Sequence, residues 1–200
     1  MNVPVTAAGF DSPVHDAQAT FRSAMRALAE PGTIRTVEPA LVAPGPVGPA
    51  VAALLLALAD FETPVWLDAG TLAAPGLADF LRFQTGAPVT ADPGRASFGV
   101  VSDPAAFEGL DRFAQGTLEY PDRSTTLIVQ VASLAAGGPF RLSGPGIPGE
   151  RRLAVAPEIP GLVESLSRNH ERFPRGVDLI LAAGDRIVGL PRTTRVMRDL

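Results

Sequence analysis

Residues 144–149, Gly-Pro-Gly-Ile-Pro-Gly, spell a literal G-x-G-x-x-G behind a short strand. A phosphate cradle of that type needs backbone N–H groups aimed at the anion and a helix that starts there. Pro145 and Pro148 have no N–H, and no helical pattern opens before about Pro160, so the stretch reads as a turn. His15-Asp16 could be a catalytic imidazole held by a carboxylate, but adjacent residues on a helix do not face each other. A helix-terminus or interface role suits His15 better. His170, in the polar run 167–172, reads as solvated. Arg192, Arg195 and Arg198 recur every third residue near the end of the chain, either as an anion-binding stripe or as a solvated tail. The acidic balance favours the tail, and Arg151-Arg152 is read the same way. Asp60, Glu62 and Asp178 are too scattered to nominate an acid–base pair. There is no H-E-x-x-H, no G-x-S-x-G and no cluster with metal-ligand spacing.

Absences narrow the chemistry further. All 17 basic residues are arginine, so no lysine is available for a Schiff base or a Walker-type phosphate contact. There is no cysteine, which excludes a thiolate nucleophile, a cysteine-ligated iron–sulfur cluster and any disulfide. A cytoplasmic setting fits that composition. The N-terminus lacks a basic segment followed by a long apolar run, so no signal peptide is expected. A net charge of −4 argues against nucleic acid as the main partner.

The elements that must position these residues alternate between helix and strand. Phe10 to Ile34 holds one amphipathic helix, with Ser12 as the expected N-cap, Pro13 at the first helical position, Asp16 in the first turn and Pro31-Gly32 as the stop. Val14, Ala17, Phe21, Ala24, Met25 and Leu28 form its expected apolar stripe. Arg26 and Glu30, four apart, form a favourable pair. Thr33–Val37 follows as a strand. After the Pro/Gly-rich loop 39–49, the run 50–59 is apolar all round and reads as a buried helix. Strands are expected at 65–67 and 97–101, and helices at about 76–83 and 162–168. Thr125–Leu134 is the strongest strand, central and buried on both faces, with Phe140-Arg141-Leu142 pairing back across Gly137-Gly138. Val177–Ala182 and Ile187–Leu190 close as a hairpin over Gly184-Asp185. These elements give one domain, a three-layer α/β sandwich with a mixed sheet, with residues 1–9 and 195–200 as tails.

Two hundred residues, 46% apolar, suffice for one substantial core, and the longest apolar run is about half a membrane span. Charged residues are 19%, below the usual share, which points to covered interfaces. From composition and spacing alone this is an α/β domain without a visible active site.

The residues themselves resemble the PhnH family, the H subunit of the bacterial carbon–phosphorus lyase complex. The likeness is carried by PVHDAQATFR (13–22), EPGTI (30–34), ADFETPVWL (59–67), LRFQTGAP (81–88), TLIVQVASL (126–134), LSGPGI (142–147), FPRGVDLIL (173–181) and LPRTT (190–194). The resemblance implies a fold similar to the large domain of pyridoxal-phosphate-dependent transferases, without the residues that hold the cofactor. It implies a homodimer in isolation that joins the G, I, J and K subunits in alkylphosphonate use under phosphate starvation. The early step there joins a phosphonate to the ribose of ATP with loss of adenine. The radical cleavage belongs to the J subunit. A non-catalytic role follows, with no cofactor or metal, and with His15, Asp16, Gln18, Arg22 and Arg192 as candidate functional or interface residues. Gln84 stands where relatives often carry histidine, so no ionisable role is expected there. The alternatives are a free-standing enzyme, in which His15, Asp16 and an arginine act on a phosphorylated ligand, or a small-molecule sensor on a vestigial cofactor fold.

Overall fold

A computed structural model describes residues 8–38, 41–74 and 76–199. The expected tail 1–9 lies outside the described residues up to residue 7, as do residues 39 and 40 of the Pro/Gly-rich loop. In chain order the elements are α1 (Pro13–Ala29), β1 (Arg35–Thr36), α2 (Pro49–Leu58), β2 (Val65–Leu67), α3 (Ala69–Ala73), α4 (Leu77–Thr85), β3 (Val89–Thr90) and β4 (Phe98–Val101). Then follow β5 (Thr126–Gln130), β6 (Ser133–Ser143), β7 (Arg151–Ala156), α5 (Leu162–Glu171), β8 (Asp178–Ala183), β9 (Arg186–Leu190) and β10 (Arg195–Arg198).

Seven strands form a mixed sheet in the order β1-β9-β8-β5-β4-β2-β3. β4, β5 and β8 run parallel at its centre, with Val100, Ile128 and Ile180 in register. β9 turns back on β8 through Gly184, whose φ of +60° supplies the positive value a two-residue hairpin needs. β-branched and leucine residues buried on both faces are the mark of a parallel centre. Here they alternate between two cores. Val100, Ile128 and Ile180 point to a layer built from α1, α2 and α4, while Leu127, Val129, Leu179 and Leu181 point to α5 and a second sheet, ordered β10-β6-β7. α2 is buried from Ala50 to Leu55, as its uniform apolar composition requires.

Several local expectations are corrected. The run 125–134 is two strands, because the Val131 N–H donates to Ala182 O in the first sheet while the Ala132 N–H donates to Ala156 O in the second. Phe140–Leu142 therefore continues β6 and pairs with β7 and β10, not with β5. Gly137 and Gly138, expected as a turn, sit in a β-bulge at φ +86° and +94°. Residues 195–198, expected as a solvated tail, form β10 against β6. Ser12 caps α1 in position only, since its side chain makes no cap bond; the Asp16 carboxylate instead accepts the Ser12 N–H at 2.8 Å. Glu30 pairs with Arg35, not Arg26.

α1 itself is turned about its axis. Its buried residues are Thr20, Ala24 and Ala27, whereas Val14, Phe21 and Met25 are 79%, 46% and 40% exposed. At 100° per residue the two sets are centred roughly 110° apart on the helix. The small side chains let the helix backbone close on β9, where a Cβ added to Gly189 would stand 2.5 Å from Ala27 O. Arg151, on β7, fixes the far end by donating from Nη1 to Pro31 O at 2.6 Å, where the helix dipole favours a cation.

Gly189→Ala should thus cost about 2–3 kcal/mol, the scale of core overpacking. Urea unfolding would show a lowered midpoint with an unchanged slope. Gly70→Ala in α3, with nothing nearer than 3.8 Å, should leave the midpoint in place.

Candidate functional site

Parallel α/β sheets usually bind ligands beyond the carboxyl ends of their strands. Here those ends carry Asp68 after β2, Ser102 after β4 and Gln130 at the end of β5. Asp68 is 2% exposed and fully engaged: Oδ1 accepts the Thr71 N–H at 2.7 Å, Oδ2 the Ser102 N–H at 2.7 Å, and Ser102 Oγ donates as well. Gln130 Oε1 accepts the Gly48 N–H that opens α2, and its Nε2 donates to Pro46 O at 3.1 Å. The cleft outside them, about 440 Å³, is lined by Val47, Ser102, Pro104, Gln130 and Pro157 among others, without an arginine or a carboxylate. Its polar groups hold the loops to the sheet. Nothing in its lining activates a nucleophile or neutralises a charged substrate.

The residues singled out from sequence divide into two groups. His15, Gln18 and Arg22 lie exposed on α1, and Asp16 is half-buried in its first turn. They share that helix with the uncovered Val14, Phe21 and Met25. Just before α1, a methyl on Gly9 would stand 2.7 Å from Gln84 Oε1 of α4, and one on Gly86 would touch Phe61. Phe83 on α4 and Phe61 are 75% and 73% exposed.

Arg192 belongs elsewhere, just beyond β9. Its guanidinium meets Asp178 through Nη2–Oδ2 at 2.6 Å and Nε–Oδ1 at 3.1 Å, and also donates to Pro121 O and Ser124 Oγ. The Arg192 N–H adds a third bond to Asp178. His170, expected in solvent, is half-buried: Nε2 accepts from Arg195 Nε at 3.0 Å, so Nδ1 carries the proton given to Arg192 O. The G-x-G-x-x-G stretch is a turn, as expected. Gly146, at φ +79°, packs so closely on the end of α1 that a Cβ would overlap Ala29 O.

A second cleft, about 500 Å³, opens at the opposite end of the sheet, where β4 and β5 begin. Arg95, Asp122 and Arg123 line it with Ser97, Ser124 and Thr126. Neither the Asp68 network nor this cleft was visible in the sequence, because their members are spread over 30 to 60 positions and meet only through strand register. Among the described residues no group of three or more His, Asp or Glu side chains is arranged to hold a metal ion.

The fold and this distribution of polar groups define an α/β protein whose sheet is tied to its loops at the carboxyl ends and whose first helix leaves Val14, Phe21 and Met25 exposed. The family model for the bacterial phosphonate metabolism protein PhnH matches residues 8–197, and the chain belongs to that family. It is 42% identical over 192 residues to the alpha-D-ribose 1-methylphosphonate 5-triphosphate synthase subunit PhnH of Rhizobium meliloti (strain 1021), covering 95% of this chain and 94% of that protein. It is 32% identical over 179 residues to HtxG of Stutzerimonas stutzeri, whose name proposes it as a C-P lyase subunit, with 90% and 85% covered.

Replacing Arg192 by methionine should cost about 2–3 kcal/mol, because it leaves the half-buried Asp178 carboxylate without its partner. Thermal unfolding would show the loss. Lysine should not restore the stability, since one ammonium cannot span Asp178, Ser124 and Pro121 together.

Proposed function

We propose that this chain is a non-catalytic subunit of a carbon–phosphorus lyase core complex, needed for the synthase step that joins an alkylphosphonate to the ribose of ATP. The observation that carries this reading is the outward face of α1. Phe21 and Met25 would each contribute on the order of 1–2 kcal/mol if covered, and a fold that turns them away from its own core holds that free energy for a partner. The membership of a family whose relatives are named as synthase and C-P lyase subunits supports the same reading. The cleft at the carboxyl ends of the strands, without a titratable side chain in its lining, supports a structural role over chemistry by this chain alone.

In isolation the chain pairs with a second copy, and in the assembly it meets the G, I, J and K subunits in the cytoplasm. No helix among the described residues is long and apolar enough to cross a membrane. The mixed seven-stranded sheet and its helical layer support the likeness to the large domain of pyridoxal-phosphate-dependent transferases. The chain has no lysine with which to hold that cofactor as a Schiff base. Within this reading His15, Gln18 and Arg22 rim the contact face and Asp16 holds the start of α1, while Arg192 braces the sheet.

Co-expression with the other subunits tests the proposal. The chain should be recovered in one defined assembly with the G and I subunits. Phe21→Asp with Met25→Asp should abolish that recovery while leaving the unfolding free energy within about 0.5 kcal/mol, as for other surface changes. Recovery that ignores the double substitution would overturn the role of α1. A chain that never joins the assembly would overturn the subunit reading.

A further inference from the structure

The cleft at the start of β4 and β5 is lined by Arg95, Asp122 and Arg123 together with the hydroxyl residues Ser97, Ser124 and Thr126. Most arginines of this chain are neutralised locally: Arg35, Arg82, Arg112, Arg141, Arg152, Arg168, Arg172, Arg192 and Arg198 each meet a carboxylate. Arg95 and Arg123 are not among them, and both line this one cleft. Both side chains are exposed, so their charges are open to a ligand. Arg123 is also held in place, its guanidinium stacked 4.2 Å from the centre of the Tyr120 ring. The short helical turn 93–95 sets Arg95, with the Asp92 carboxylate accepting the Gly94 N–H at 2.9 Å.

The Ser124 hydroxyl is placed to donate. Arg192 Nη2 gives a hydrogen bond to Ser124 Oγ at 2.6 Å, which occupies a lone pair and leaves the Ser124 proton for something else. Ser97 and Thr126 bring two more hydroxyls to the lining, and Phe98 with Ala96 supplies an apolar wall. Two guanidinium groups and three hydroxyls suit a phosphate, which takes bidentate bonds from arginine. Asp122 does not suit a bare anion. A carboxylate on the same rim accepts hydrogen bonds from ligand hydroxyls, as a vicinal diol would offer them. The cleft volume of about 500 Å³ lies within the range of small-molecule sites.

We infer that this cleft binds a phosphorylated sugar, with Arg95 and Arg123 on the phosphate, Ser124 donating to it, and Asp122 accepting from the sugar hydroxyls. The ligand class follows from the lining; that such a compound is at hand during the reaction rests on the subunit reading proposed above. Arg192 then acts as a positioning residue, turning Ser124 while its own charge stays with Asp178.

Calorimetric titration of the purified chain with ribose 5-phosphate, inorganic phosphate and ribose tests this. Ribose 5-phosphate should bind saturably, one per chain, more tightly than either of the others and less tightly as salt is raised. Arg95→Ala and Arg123→Ala should each weaken it about tenfold, equivalent to ~1.4 kcal/mol. Arg82→Ala, on α4 and outside the cleft, should leave it unchanged. Asp122→Asn should weaken ribose 5-phosphate but not inorganic phosphate. No saturable binding, or equal binding by the Arg95→Ala/Arg123→Ala double variant, would overturn the site. Equal effects of Asp122→Asn on both ligands would overturn the sugar assignment. Circular dichroism of each variant separates lost binding from lost folding. Binding by a chain that fails to assemble would leave the cleft standing and remove the subunit reading, and assembly without binding would do the reverse.

Discussion

The close approach of α1 to β9 governs much of what the surface of this protein presents. Gly189 leaves room for the Ala27 carbonyl, and Thr20, Ala24 and Ala27 form the small buried face of α1 that follows it down onto the sheet. Packing density, not the sum of apolar area, decides the rotation of the helix. A stripe of larger side chains would have held the helix further from the strand and left a gap beneath it. With the small face inward, Val14, Phe21 and Met25 must point outward whatever their hydrophobicity.

Polar groups at the two ends of the sheet are handled in opposite ways. At the carboxyl ends Asp68 and Gln130 accept from or donate to the backbone of neighbouring loops, and Ser102 Oγ donates to Asp68. At the amino ends Asp178, Arg192 and Ser124 form an equally bonded cluster, yet it stops short of Arg95 and Arg123. One end is closed by its own network; the other uses its network as a foundation for groups that remain unspent.

The sequence disclosed most of the regular structure. The burial of α2 from Ala50 to Leu55, the three residues of β2, the β8–β9 hairpin and the start of α5 at Leu162 all follow from local pattern, since propensity and tertiary packing agree there. The rotation of α1 was hidden because the hydrophobic pattern of 13–29 marks where apolar groups lie and not which of them the core accepts. The division of 125–134 was hidden because nothing in Val131-Ala132 distinguishes a strand that continues from one that changes sheets. β7 and β10 were hidden by Arg151, Arg152, Arg195 and Arg198, which make a half-exposed strand look like a polar tail. Arg192 read as part of a solvated tail because Asp178, its partner, lies 14 positions away.

The passage of one run from β5 into β6 has a consequence for how the molecule comes apart. The last bond of the first sheet and the first bond of the second are made by consecutive residues, Val131 and Ala132, so there is no slack segment at that crossing to absorb local opening. Loosening β6 drags on the central strand of the larger sheet, and loss of the central strand releases β6. Two cores joined so tautly are coupled at this crossing, and it offers a protease no hinge between the layers.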